Sequence, residues 1–377
     1  MKFFKKNTQS VDFTFLIIVI ILLIYGLIMV FSASSASAHY YNGDAFYFIK
    51  KQLFFALLGL VGMWIASNID IKFIQKNSPL FLAITFIMLV LVLIPGIGMK
   101  INGARRWLGV GSISFQPSEV AKYAIIFFTA HSLSLRREPL KQFWKDLFPY
   151  LFVIGVFAGM VLLEDHLSGA TVIAFTGCLI VYLAGARTSH FVCLAISGVA
   201  LIAIAIMIEP YRAARFTTFM DPFADPLGAG FQIVQSLYAI GSGGFFGLGL
   251  GQSRQKYLYI PEPHNDFIFS IICEELGFFG ALLVILLFAL LIWRGIKIAM
   301  SAPDLFTSLS TAGIIGLVGF QALVNIAVVT GSMPVTGMAL PFFSYGGSAL
   351  LFLLTSMGFV LNVSRNLNDN GIGKTDL

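Results

Sequence analysis

The sequence predicts an all-α protein that crosses a membrane many times, and three observations carry that prediction. Of its 377 residues 58% are hydrophobic and only 11% are charged, a balance foreign to water-soluble domains. Mean hydropathy is +0.89. The apolar residues gather into runs of about 17–25, the length a helix needs to cross the hydrocarbon core.

Ten such runs follow one another, at 13–32, 52–68, 79–97, 117–135, 147–163, 170–186, 190–208, 266–293, 306–330 and 345–363. The first ends in "VFSASSASA", which mimics a signal-peptide cleavage site, but its length and the later spans favour a retained anchor. The fourth carries Glu119 and Lys122, three residues apart and so on one helix face. After the seventh, residues 209–265 form a loop too long for a plain connection. Its apolar stretches suit short helices in the membrane interface, capping an outward-facing cavity. The eighth run opens with Asp266 and holds Glu274 and Glu275, and the tenth follows a segment rich in Pro and Gly. Residues 366–377, "NLNDNGIGKTDL", read as a flexible cytoplasmic tail, and 1–377 as a single membrane domain.

Basic residues set the orientation. With the N-terminus inside, fourteen of the 24 Lys and Arg fall on the cytoplasmic side and nine outside, with Lys122 within a span. Both termini are therefore expected in the cytoplasm. The net charge of +6 suits anionic lipid headgroups, and no basic run interleaved with aromatics points to nucleic acid. Cys178, Cys193 and Cys273 lie in apolar spans without paired spacing, so neither a disulfide framework nor a zinc ribbon is expected. "GSGGFFGLGLG" has dinucleotide-like glycine spacing but no preceding strand, and "SRQK" has the Ser–Lys spacing of transpeptidases without their other elements. Both read as coincidence.

Charge inside the membrane is more informative, because it is costly and faces a bundle interior or a wet cavity. Lys122 is either a ligand for an anion or half of a structural pair with Glu119. Arg105 and Arg106 in "INGARRWLGVGSISFQPSE" sit at the outer interface, where planar guanidinium donors suit phosphate.

Three stretches, "NGARRWLGVGSISFQPSEVAK", "FQIVQSLYAIGSGGFFGLGLGQSRQKYLYIPEPHNDFIFSIICEELG" and "VNIAVVTGSMPVTGMALPFFSYGGSALL", resemble the signature regions of the SEDS family, the FtsW, RodA and SpoVE proteins of bacterial cell-wall synthesis. The resemblance spans nearly the whole chain and is closer to the division FtsW or sporulation SpoVE branch than to RodA. It implies a peptidoglycan glycosyltransferase that polymerises lipid II outside the membrane and releases undecaprenyl diphosphate. Its implied partners are a class B penicillin-binding protein and other division or sporulation membrane proteins. Between the fifth and sixth spans the family's "EPDxGTA" is here "EDHLSGA", with Asp165 for the proline and His166 near the usual acid, so no role is carried onto that turn.

That chemistry asks for an acceptor hydroxyl, a base to take its proton, and positive charge for a departing diphosphate. Asp266, at the mouth of the eighth span, is the expected base; its competing reading is a helix N-cap. Lys122, Arg105, Arg106, Arg212, Arg215 and Lys256 are the expected diphosphate-holding cations, and Gln232, Ser236, Ser344 and Tyr345 of the resembling regions the further substrate-binding groups. Glu119, Glu274 and Glu275 are assigned structural or coupling roles: on a regular helix Glu275 lies about 180° around from Asp266 and roughly 13 Å deeper. A divalent cation, Mg or Mn, would help the diphosphate depart, though His264 and Glu262 beside Asp266 make a weak ligand set. Two other classes stay open, a lipid II flippase and a division-complex scaffold. A flippase needs alternating access and often internal repeats, which the sequence does not show, and a scaffold gives no reason for an acid at the cavity mouth.

Overall fold

A computed structural model describes residues 10–366, apart from 102, 111–112, 137, 139, 197, 199–217, 229 and 258. Three helices begin where an aspartate stands just before an apolar run and its carboxylate receives a free backbone amide. Asp12 caps α1 (Phe13–Asn42), Asp70 caps α3 (Ile71–Leu93) and Asp304 caps a later helix, with amide-to-carboxylate distances of 2.9, 3.0 and 2.9 Å. Between the first two runs α2 (Tyr47–Ala66). Then come α4 (Pro117–Ser134), opened by proline in its first turn, α5 (Phe148–Leu163) and α6 (Leu167–Leu183). Residues 188–196 are helical and begin the expected seventh span, the rest of which lies outside the described residues. The long loop contributes α7 (Phe231–Gly243), and α8 (Ile268–Met300), α9 (Leu305–Val329) and α10 (Gly347–Ser364) complete the bundle. Seven described helices, that of α5 taken from Phe143, are long and apolar enough to cross a membrane.

The connection between α3 and α4 departs from the all-α expectation. It forms a small antiparallel sheet of β1 (Met99–Ile101), β2 (Ala104–Val110) and β3 (Ile113–Phe115) in the order β1-β2-β3. Ile101 pairs with Ala104, and Gly103 next to Ala104 has φ +87°, as a tight hairpin turn asks of a glycine.

Polar side chains lock the two ends of the bundle. At one end Arg294 Nε bonds Asp12 Oδ2 (2.8 Å), while Asn362 Nδ2 donates to the carbonyls of Ala66 (2.8 Å) and Ile69 (2.7 Å). At the other, Gln52 joins α2 to the entrance of α10 through Ser344 O (3.3 Å) and Gly346 N (3.2 Å). Between these clamps α2 and α10 lie in close contact: a Cβ on Gly358 would strike the Met63 carbonyl, so glycine lets the backbones approach.

Helix α8 is broken at Gly277, whose φ of 67° and ψ of −163° leave the helix. The break strands backbone groups, and the glycine-rich loop after α7 receives them. Leu248 N donates to Glu274 O and Gly249 N to Glu275 O, each at 2.9 Å, and Phe278 N donates to Gly244 O at 2.9 Å. Within a membrane such a break is tolerated only where other protein groups satisfy the backbone.

Candidate functional site

Asp266 stands in the turn just before α8, so it is not part of the helix that the sequence places it in. Nor does it cap that helix: the first residue outside is Phe267, and no side chain receives the free amides. The Asp266 backbone carbonyl instead accepts from Asn325 Nδ2 of α9 (2.7 Å), which also holds Met338 O (2.7 Å). Asn325 thereby ties the turn to the irregular segment before α10. On that segment Gly337, with φ +72°, lies so close that a Cβ would come within 3.3 Å of Asp266 Oδ2. Burial pushes the Asp266 carboxyl up to about 6; the Glu262 charge adds to this and Arg106 opposes it.

Arg106, on β2, is the hub of the surrounding charge. Its Nε donates to the Glu164 backbone carbonyl (3.1 Å) and its Nη2 to that of Asp165, in the turn between α5 and α6. His166 in the same turn meets α4 through Nδ1, at 3.1 Å from Gln116 Nε2 and 3.3 Å from Ser118 Oγ. Burial takes this imidazole down to about 4, helped by the positive charge of Arg106. Lys122 lies one turn further along α4, 3% exposed, its Nζ 2.6 Å from Glu119 Oε2. Arg106, Lys122 and Asp266 thus belong to one end of the bundle, brought together by β2, α4 and the turn before α8.

The remaining expected site residues divide. Ser344 Oγ donates to Asn265 O (2.7 Å) and accepts from Leu340 N (2.7 Å), and Tyr345 N donates to His264 O (2.8 Å). Both therefore brace the Asp266 turn, with the His264 ring 4.3 Å from Phe48 and 5.6 Å from Tyr345. Ser236 is buried and donates to Val329 O (2.8 Å), which fixes α7 to α9. Gln232 is half-buried on α7 and Arg105 half-buried on β2, where the pairing with β1 slips at Arg106. Arg212 and Arg215 lie outside the described residues.

Lys256 is the clearest correction. Expected among the diphosphate-holding cations, it is 2% exposed, and its Nζ bonds Glu275 Oε1 (3.0 Å) and Gly251 O (2.6 Å). Glu275 also receives Ser32 Oγ (2.6 Å), Gly251 N (3.0 Å) and Ser253 N (3.2 Å). Glu274 receives Ser253 Oγ and the amides of Arg254 (3.0 Å) and Gln255 (3.3 Å). The two acids clamp the loop onto the broken helix. The Lys256 ammonium is enclosed on all these sides by Glu275, Gly251 O and Ser32 Oγ inside the clamp, whereas Glu119, the partner of Lys122, is only half-buried.

Among the described residues no group of three His, Cys, Asp or Glu is arranged to hold a metal ion. A cavity of about 660 Å³ lined by Asp70, Lys72, Gln75, Ser134 and Asp304 lies at the opposite end of the bundle and touches none of these groups.

The profile of the family described as "Cell cycle protein", FtsW/RodA/SpoVE, matches residues 13–369. The chain belongs to this family. It is 48% identical over 322 residues to the stage V sporulation protein E of Bacillus subtilis (strain 168), covering 85% of this chain and 88% of that one. To the probable peptidoglycan glycosyltransferase FtsW of Geobacter sp. (strain M18) it is 43% identical over 325 residues, 86% and 88% of the two chains. A solved chain described under the structural coordination of polymerization and crosslinking by a peptidoglycan synthase complex is similar with a TM-score of 0.81 at 30% identity, covering 96% and 99%. The rod shape determining protein RodA of Thermus thermophilus matches with a TM-score of 0.71 at 28% identity and the same coverage.

Three positions in this FtsW/RodA/SpoVE chain escaped the sequence reading. Asn325 was signalled by a carboxamide in the middle of an apolar run, "ALVNIAVV". Glu164 stands where the family pattern also has an acid, but nothing in the sequence says that Arg106 folds back onto its backbone. Gly337 had no signal beyond being a glycine among prolines.

Proposed function

We propose that this chain is a peptidoglycan glycosyltransferase that polymerises lipid II into glycan strands on the outer face of the bacterial cytoplasmic membrane, in division or sporulation, with both termini in the cytoplasm. The names of its relatives support the activity. The observation that carries the mechanism is a half-buried aspartate, with its carboxyl pushed up to about 6 by desolvation, beside an arginine tethered by backbone carbonyls.

At neutral pH Asp266 is ionised yet more basic than an exposed aspartate, which suits it to take the proton of an acceptor hydroxyl. As that oxygen bonds to the anomeric carbon, the bond from this carbon to the diphosphate oxygen breaks and the diphosphate leaves with the electron pair. It needs no acid, because Arg106 and Lys122 supply positive charge. Lys122 does so while paired with Glu119, which holds its ammonium in place within the bundle.

A class B penicillin-binding protein is the proposed partner, supported by the likeness to a chain described with polymerization and crosslinking together. The test is polymerisation in proteoliposomes holding the purified chain, that transpeptidase and lipid II. Glycan strands with release of undecaprenyl diphosphate are expected. Transfer of lipid II across the vesicle wall with no strands formed would replace this reading with the flippase.

A further inference from the structure

Arg106 lies near enough to the Glu164 carboxyl to act on its titration, yet it bonds the backbone carbonyls of Glu164 and Asp165 and leaves the carboxyl alone. Glu164 is 1% exposed, and neither carboxyl oxygen has a hydrogen-bond partner. Asp165 beside it takes φ +57°, a left-handed conformation that a non-glycine residue holds only under constraint from its surroundings. A buried carboxylate that ignored an adjacent guanidinium would be uncompensated on both sides, whereas an uncharged acid fits this arrangement.

We propose that Glu164 is a positioning residue: held uncharged between α5 and α6, it leaves Arg106 tethered to backbone carbonyls, with its positive charge free for the diphosphate of a lipid-linked substrate. The inference rests on the glycosyltransferase reading of the site and deepens it. Burial pushes the Glu164 carboxyl up to about 8 against the pull of Arg106, so the acid is protonated at neutral pH. Once ionised, it draws Arg106 into an internal pair and cancels the charge. Arg106 is the charge that acts on it; Asp165 and His166 share its turn, Glu119 and Lys122 of α4 act on His166, and Glu262 and Asp266 before α8 share the neighbourhood of Arg106. Of these, His166 with its value near 4 and Asp266 near 6 have finished titrating below the range where Glu164 ionises.

The experiment measures binding of undecaprenyl diphosphate to the full chain in nanodiscs between pH 7 and pH 9, for wild type, Glu164→Gln and Arg106→Gln. A glutamine keeps the shape and neutrality of the protonated acid. Wild-type binding is expected to weaken about tenfold across this range, as loss of one charge-assisted contact implies. Glu164→Gln should stay flat and match wild type at pH 7, and Arg106→Gln should bind weakly throughout. Parallel wild-type and Glu164→Gln curves, or an Arg106→Gln variant that binds as tightly as wild type, would overturn the inference. A second readout needs no variant to fold: the infrared carbonyl band of a protonated carboxyl in wild type should vanish as pH passes about 8, and its absence at pH 7 would equally overturn it. Loss of polymerisation with these profiles intact would instead count against the glycosyltransferase reading alone.

Discussion

Asp266 gains its basicity from standing just before a helix without capping it, where desolvation raises the carboxyl and no helix amide stabilises its charge. The base form lies above its value, so turnover should rise with pH through about 6 and fall away below it; an acid limb near the ordinary carboxylate range would contradict a desolvated base. Gly337 supplies part of the wall. Gly337→Ala places a methyl within 3.3 Å of Asp266 Oδ2 and forces a side chain onto φ +72°, so polymerisation should drop while the helices stay folded by circular dichroism. Lys122→Met should abolish most activity. Adding Glu119→Gln removes the carboxylate left without its partner and should restore thermal stability without restoring turnover; recovered glycan synthesis in the double variant would show that Lys122 serves only the pair. The sequence singled out Asp266 and Lys122 because charge in an apolar run is conspicuous. It mistook Lys256 for a free cation because nothing in "SRQK" tells that Glu275, nineteen residues later, is folded against it.

At the scale of elements, the glycine-rich loop and the first turns of α8 form one unit. Gly277 breaks the helix, residues 244–249 return its backbone hydrogen bonds, and Glu274 and Glu275 hold the loop by side chain. Lys256→Met would leave Glu275 fully buried without a counter-charge, a change that typically costs about 3–5 kcal/mol. The variant should unfold at markedly lower temperature in detergent, and Lys256→Met with Glu275→Gln should recover part of the loss. The acids of "CEELG" were legible as buried structural groups, and the glycines before them as tight turns. Their mutual fit was not, since it depends on a helix break that periodicity cannot show. The sheet between α3 and α4 left a readable mark in Asn102–Gly103, a strong hairpin signal overshadowed by the arginines that follow it.

Across the whole molecule the helical bundle was legible because hydrocarbon imposes a length on every span, and the expected runs fall on the described helices within a few residues at most ends. The site was less so. It gathers β2, α4, the turn after α5, the turn before α8 and the segment before α10, and contacts between elements so far apart in sequence leave no periodic trace. The account turns on one carboxylate, and the most direct measurement is lipid II polymerisation by folded Asp266→Asn protein with its partner. The substitution keeps size and removes proton acceptance, so glycan synthesis should fall by about 10²–10⁴-fold while undecaprenyl diphosphate still binds. Glycan strands formed by that variant at near the wild-type rate would contradict the assignment of Asp266 as the base.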